Sequence, residues 1–276
     1  MAGLNLRSVL VTGANRGIGL ELVKQLLGNS SPPEWVFATC RDPGGGRMQE
    51  LQNLAAKHPN LVTVALGGCP APGPELPSRL PATHVTDPAS IKAAAARVET
   101  HLKGSGLNLL INNAGIVKLN TLESETPEDM ALVYATNVTG PLLVSQAFLP
   151  LLKQAAQGSP QTGLSCSKAA IVNISSEAGS IQNVCDWHMV QIISYRCSKA
   201  ALNMLTKCQA LGHGGDGILS VAVHPGWVQT DMGSSGSIQA PVTVEASVRG
   251  MLHVLSTLCE KDNGGFVNWE GKVLPW

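Results

Sequence analysis

A tyrosine four residues ahead of a lysine, in the stretch ISYRCSK at 193 to 199, is a pair whose types and spacing suit proton chemistry. On a helix, positions i and i+4 share a face, which sets the Tyr195 phenol and the Lys199 ammonium about one turn apart. A free phenol has a pKa of about 10, and a neighbouring ammonium favours its ionised form. The phenol is therefore expected to move toward the range useful for proton transfer at neutral pH. Cys197 lies between the two but points in another helical direction, and is expected to be filler, not a nucleophile.

A second cluster offers a redox cofactor a seat. VLVTGANRGIGLELV, residues 9 to 23, ends a strand, turns through Gly13, Gly17 and Gly19, and enters an amphipathic helix. Glycines let the backbone approach a pyrophosphate, and the helix N-terminus adds N–H donors and a favourable dipole. The alternative is a tight strand-to-helix turn with no ligand. The choice of dinucleotide falls at the end of the second strand, VFATCRDP, where an acidic residue would receive a ribose hydroxyl and a basic one a phosphate. Arg41 and Arg16 would form a basic clamp there, pointing to NADP(H). Asp42 argues the other way, and two solvated surface arginines are the alternative.

Two further segments bear on the reacting oxygen. The strand AAIVNISS delivers Ser175 and Ser176 at its C-terminal end, where open α/β sheets place ligands, and alternation turns only one of them toward a given face. Asn137 stands in ATNVTGPLL, four residues before a proline that has no N–H to give its carbonyl. Either a helix runs through, kinks and leaves that carbonyl to hold a water on the way to Lys199, or the helix breaks at Gly140-Pro141.

These residues require an alternating frame to position them. Strand patterns at about 61–66, 107–113, 168–176, 217–226 and 264–269 follow the first βαβ unit. Helical patterns lie between them at about 47–58, 88–103, 127–155, 194–211 and 243–260. Such alternation predicts a parallel sheet covered by helices on both faces. Asp87-Pro88 and Thr126-Pro127 each put a good N-cap before a proline at the first helical position. Residues 67–83 hold five of the 17 prolines without periodicity and predict an irregular excursion.

With 276 residues, 44% hydrophobic and 14% charged, the chain can bury one large core, and a single α/β domain is expected. Lysine plus arginine equals aspartate plus glutamate at 19 each, which removes the electrostatic footprint of a nucleic-acid binder. The apolar run 141–152 is interrupted and falls short of the roughly 18 residues that span a bilayer, so no membrane partner is expected. Seven cysteines without a CxxC, and an N-terminus without a secretory pattern, point to a reducing, cytoplasmic setting. No cluster has metal-ligand spacing, so no metal is expected.

TGANRGIG, NNAG at 112 to 115, the asparagine of ATNVTG, IVNISS, YxxxK and HPGWVQTDM, in this order, resemble the short-chain dehydrogenase/reductase family over nearly the whole chain. FVNWEGKVLPW and SKAALNMLTK are most similar to its carbonyl-reductase branch, typified by the sniffer and C-factor proteins. The resemblance implies a seven-stranded, doubly wound Rossmann sheet and an Asn137, Ser176, Tyr195, Lys199 tetrad, with Ser176 matching the second serine of the family pattern. It also implies an NADP(H) site formed by Gly13, Asn15, Arg16, Gly17, Ile18 and Gly19, with Arg41 and Val85. Asn113, Tyr195 and Lys199 would face the nicotinamide ribose side, and Pro225, Gly226, Val228 and Thr230 the nicotinamide amide. The implied activity is reduction of a ketone, aldehyde or quinone, in a protein that pairs as a dimer or tetramer through 127–155 and 194–211. One departure is the adenine-binding turn, where His84-Val85 replaces the family's acidic and hydrophobic pair. A cofactor-binding or signalling module without catalysis is the rival expectation. The long stretch between Ser176 and Tyr195 is expected to supply a substrate wall, with Trp187, His188 and Met189 as candidates; His188 could equally be an exposed loop residue.

Overall fold

The computed structural model describes residues 4–40, 48–66, 87–184, 187–234 and 239–276. Seven apolar runs form one parallel sheet: β1 (Ser8–Val11), β2 (Trp35–Cys40), β3 (Leu61–Ala65), β4 (Leu109–Asn112), β5 (Ala170–Ile174), β6 (Leu219–His224) and β7 (Phe266–Asn268). Their order is β3-β2-β1-β4-β5-β6-β7, so the chain reverses direction across the sheet between β3 and β4. That reversal opens a crevice at the C-terminal ends of β1 and β4.

The helices are α1 (Gly17–Leu27), α2 (Gln49–Lys57), α3 (Pro88–Leu102), α4 (Pro127–Tyr134), α5 (Gly140–Gly158), α6 (Ile193–His213) and α7 (Val244–Thr257). The two expected N-caps form: Asp87 accepts from the Ala89 N–H at 3.1 Å and Thr126 from the Asp129 N–H at 3.1 Å. Strand alternation divides the core in two. Val9, Val11, Val36 and Ile111 pack with Leu22 and Leu26 of α1 and Met251 of α7 on one face. Leu10, Phe37, Leu110 and Ile171 pack with Val98 of α3 and Phe148 of α5 on the other. Each fully buried side chain of this kind contributes roughly 1.5–3 kcal/mol.

α6 is docked on the sheet differently. The Asn173 amide on β5 donates to Thr206 Oγ1 and Gln209 Oε1, each at 2.8 Å, and accepts from Asn112 on β4 at 2.9 Å. A buried polar clasp of this sort specifies one register of helix on sheet.

From α4 the chain passes through a π-helical turn, Ala135–Thr139, into α5. The 32 residues Pro127–Gly158 are long and apolar enough to cross a membrane by length and composition alone, which the run 141–152 taken by itself did not indicate. Half of that apolar window is buried inside the protein, as in a core helix.

Past β7 the chain turns back along it. Val273 bridges Val267 in antiparallel sense, the Leu274 N–H donates to the Phe266 carbonyl at 2.8 Å, and Trp276 stacks on Phe266 with centroids 5.7 Å apart.

Candidate active site

A cleft of about 940 Å³ lies beyond the C-terminal ends of β1, β4, β5 and β6. The glycine loop after β1 forms one end. Gly13 and Gly17 hold φ of +64° and +51°, in the left-handed region that glycine adopts without strain. Gly19 does not line the cleft; a Cβ there would lie 2.3 Å from the Gly13 carbonyl oxygen, so its role is to let helix and loop close on each other. Asn15, Arg16 and Ile18 line the cleft. α1 has no side-chain cap and no acidic residue in its first turn, which suits an N-terminus facing phosphate.

Asn113 lines the cleft but spends its side chain on the loop. Its amide donates to the Thr12 and Gly13 carbonyls at 2.9 and 3.2 Å, stapling the glycine turn to the end of β4. Arg16 is paired with Asp231 at 2.9 Å, linking the glycine loop to the turn after β6. Arg41, Asp42, His84 and Val85 lie outside the described residues, as does the 67–83 segment. Pro225, Gly226, Val228 and Thr230 all line the cleft.

At the centre stand Ser176, Tyr195 and Lys199. Ser175 and Ser176 both line the cleft, but the Ser175 hydroxyl is buried and donates to Asn203 Oδ1 at 2.6 Å, whereas the Ser176 hydroxyl accepts from the Ala178 N–H at 3.2 Å and lies beside the Tyr195 phenol. The Lys199 Nζ lies 5.5 Å from the centroid of the Tyr195 ring and donates to the Ile174 carbonyl at 2.7 Å. Burial pushes the Lys199 pKa down to about 8. The expected lowering of the Tyr195 pKa is not found. Burial raises it above its ordinary value, against the smaller opposing effect of the Ser176 hydrogen bond. Desolvation of the buried phenolate is the larger of the two effects.

Asn137 matches neither expected outcome in full. The helix does not break at Gly140-Pro141; the Gly140 N–H reaches back to the Ala135 carbonyl, and the π turn carries the chain past the proline. Its side chain lies behind the cleft wall, accepting from the Ile116 N–H at 2.9 Å and donating to the Ile116 carbonyl at 2.9 Å and Ser198 Oγ at 3.0 Å. It thus binds the strand-four loop to α6.

Of the expected substrate wall, Met189 lines the cleft and Trp187 and His188 do not. Leu119, Leu132, Trp227 and Met232 complete an apolar rim that sequence reasoning missed, although Trp227 and Met232 stand in the quoted HPGWVQTDM. His224, at the head of that motif, also lines the cleft. Burial, and then the Lys199 charge, push its pKa down to about 4, so it is neutral there.

Comparison with known proteins follows the same lines. Residues 79–240 match the family model described as short chain dehydrogenase. The NADPH-bound carbonyl reductase from chicken fatty liver is 63% identical, with 99% of this chain and 100% of that one aligned at a TM-score of 0.89. The carbonyl reductase Sniffer of D. melanogaster is 36% identical over 99% of this chain and 100% of that one, at a TM-score of 0.87. The C-signal protein of Myxococcus xanthus is 36% identical over 171 residues, covering 62% of this chain and 93% of that protein.

Proposed function

Because the chain belongs to the short-chain dehydrogenase family, we propose that it is an NADPH-dependent reductase of ketones, aldehydes or quinones. The observation that carries this reading is the contact of Ser176 with Tyr195 beside Lys199, at the centre of a cleft with a glycine loop at one end. The likeness to an NADPH-bound carbonyl reductase supports the choice of cofactor. Gly13, Asn15, Gly17 and Ile18 would hold the pyrophosphate side, Arg16 the 2′-phosphate in place of Asp231, and Val228 and Thr230 the nicotinamide amide.

NADPH held there would supply the hydride that reduces a carbonyl carbon. Tyr195, protonated at neutral pH because burial raises its pKa, gives its phenol proton to the carbonyl oxygen as negative charge develops on it. Ser176 donates a hydrogen bond to the same oxygen and orients it. Lys199, charged below about pH 8, stabilises the phenolate left behind. Asn137 completes a relay that returns a proton through Lys199. A homo-oligomer, paired through α4, α5 and α6, and a cytoplasmic place of action complete the reading. Met130, Tyr134, Leu142, Met204 and Leu211 give those helices exposed apolar side chains.

The test has two parts. NADPH at 100 times its Kd should stabilise the folded protein by about 2.7 kcal/mol, and NADH at the same concentration by less. NADPH oxidation with a panel of aldehydes, ketones and quinones should then be abolished by Tyr195→Phe while the stabilisation by NADPH remains. Binding without oxidation of NADPH by any of these compounds would favour the regulatory module instead. Full activity in Tyr195→Phe would overturn the assignment of the proton donor.

A further inference from the structure

α6, which carries Tyr195 and Lys199, begins without a cap of its own. Its N-cap residue Ile192 sits at φ 43° and ψ 53°, has no side-chain hydrogen bond to the helix, and no acidic residue follows in the first turn. Positive φ is a true outlier for a β-branched residue, so something outside the helix must hold this entry in place.

The acceptor comes from 69 residues earlier in the chain. Glu125 Oε2 accepts the Ser194 N–H at 2.9 Å, one residue before Tyr195. The carboxylate is itself fixed, since Oε1 accepts from the Asn120 amide at 3.1 Å and the Thr126 N–H at 3.2 Å. A parallel tie joins the same two segments, the Leu122 N–H donating to Gln191 Oε1 at 2.7 Å. From the helix side, Arg196 Nε and Nη2 donate to the Gln191 and Val190 carbonyls at 2.9 and 3.1 Å. The entry to α6 is therefore gripped from both directions.

Desolvation pushes the Glu125 carboxyl up, but hydrogen bonds led by the Ser194 N–H outweigh it and hold the group below the usual carboxylate range. A charged acceptor at a helix N-terminus is favoured by the helix dipole as well. Because the phenol hangs from the first turn, any shift of that turn moves its oxygen relative to Ser176, which stands two residues past the end of β5.

We propose that Glu125 supplies the N-terminal cap that α6 lacks and thereby positions Tyr195 for proton transfer. This rests on the reductase reading only for its catalytic consequence; the positioning itself has a separate readout. The chain has two tyrosines, so protein labelled with ¹³C at the tyrosine Cζ gives two resonances, and Tyr195→Phe assigns them. In NADPH-saturated protein, Glu125→Ala should displace the Tyr195 resonance and leave that of Tyr134 in place. It should lower kcat about 10- to 100-fold, the loss a misplaced reacting group produces, with little change in the Kd for NADPH. Glu125→Gln keeps one acceptor oxygen for the Ser194 N–H but sets its NH2 against the Asn120 and Thr126 donors, so it should displace the resonance less and lower kcat less than Glu125→Ala.

An unmoved Tyr195 resonance with unchanged kcat in Glu125→Ala, even with a lowered Tm, would reduce Glu125 to a structural cap and overturn the proposal. If wild-type protein reduces no carbonyl, the reductase reading fails, and the spectrum alone decides the positioning role. Should Glu125→Ala not fold, Glu125→Asp, one methylene shorter, is read by the same criteria.

Discussion

At Tyr195 two influences oppose each other, and burial exceeds the effect of the neighbouring Ser176 hydroxyl. The phenol stays protonated through the neutral range, so the titration seen in activity should belong to Lys199, whose pKa burial lowers to about 8. The charged form of Lys199 is the one the mechanism uses. Carbonyl reduction should therefore be fully present below about pH 8 and fall as pH rises through it. His224, already neutral well below this range, should not add a limb near pH 8. A pH profile of kcat/KM that stays level to pH 9.5 would contradict this assignment. Arg16 offers a second test at this scale. If Arg16 holds the 2′-phosphate as proposed, its pairing with Asp231 competes with that contact, and both side chains are substantially exposed. Asp231→Asn should tighten NADPH about two- to fivefold at low salt and leave NADH unchanged, as expected of an exposed ion pair. Equilibrium titration of both cofactors checks it.

Among the elements, the glycine turn is built by close approach as much as by backbone freedom. Gly19→Ala would place a methyl group against the Gly13 carbonyl, so it should abolish stabilisation by NADPH while the far side of the sheet stays folded. Thermal shift and circular dichroism read the two effects. Thr126→Ala removes the cap of α4 and should cost about 1 kcal/mol in urea denaturation. What the sequence made legible follows from distance along the chain. The glycine turn, the two proline-marked caps and the Tyr195–Lys199 spacing are local, and local periodicity and turn chemistry report them. Arg16 with Asp231, Glu125 with Ser194, and Asn137 with Ile116 join segments that only the folded sheet brings together. Pro141 did announce that a backbone donor is missing. It did not announce the solution, because a π turn and a kinked α-helix share nearly the same apolar pattern over five residues.

At the scale of the whole molecule, the crevice where strand order reverses places the candidate site, and the helices on the α3–α5 side leave apolar side chains in solvent. If pairing of copies uses them, charge should prevent it. Met204→Lys with Leu211→Lys is expected to shift the protein to a monomer in sedimentation velocity, and an unchanged sedimentation coefficient would remove α6 from the interface. The return of the chain along β7 has a different meaning. A three-residue strand at the margin of a seven-stranded sheet would present open N–H and carbonyl groups on which another chain could add. Val273 and Leu274 occupy that margin, and Trp276 lies across Phe266 while its carbonyl accepts the Gln182 N–H at 2.9 Å. Residues 272–276 thus cover that margin: without them, the protein should keep its sheet by circular dichroism yet turn its solutions cloudy as chains stack edge to edge.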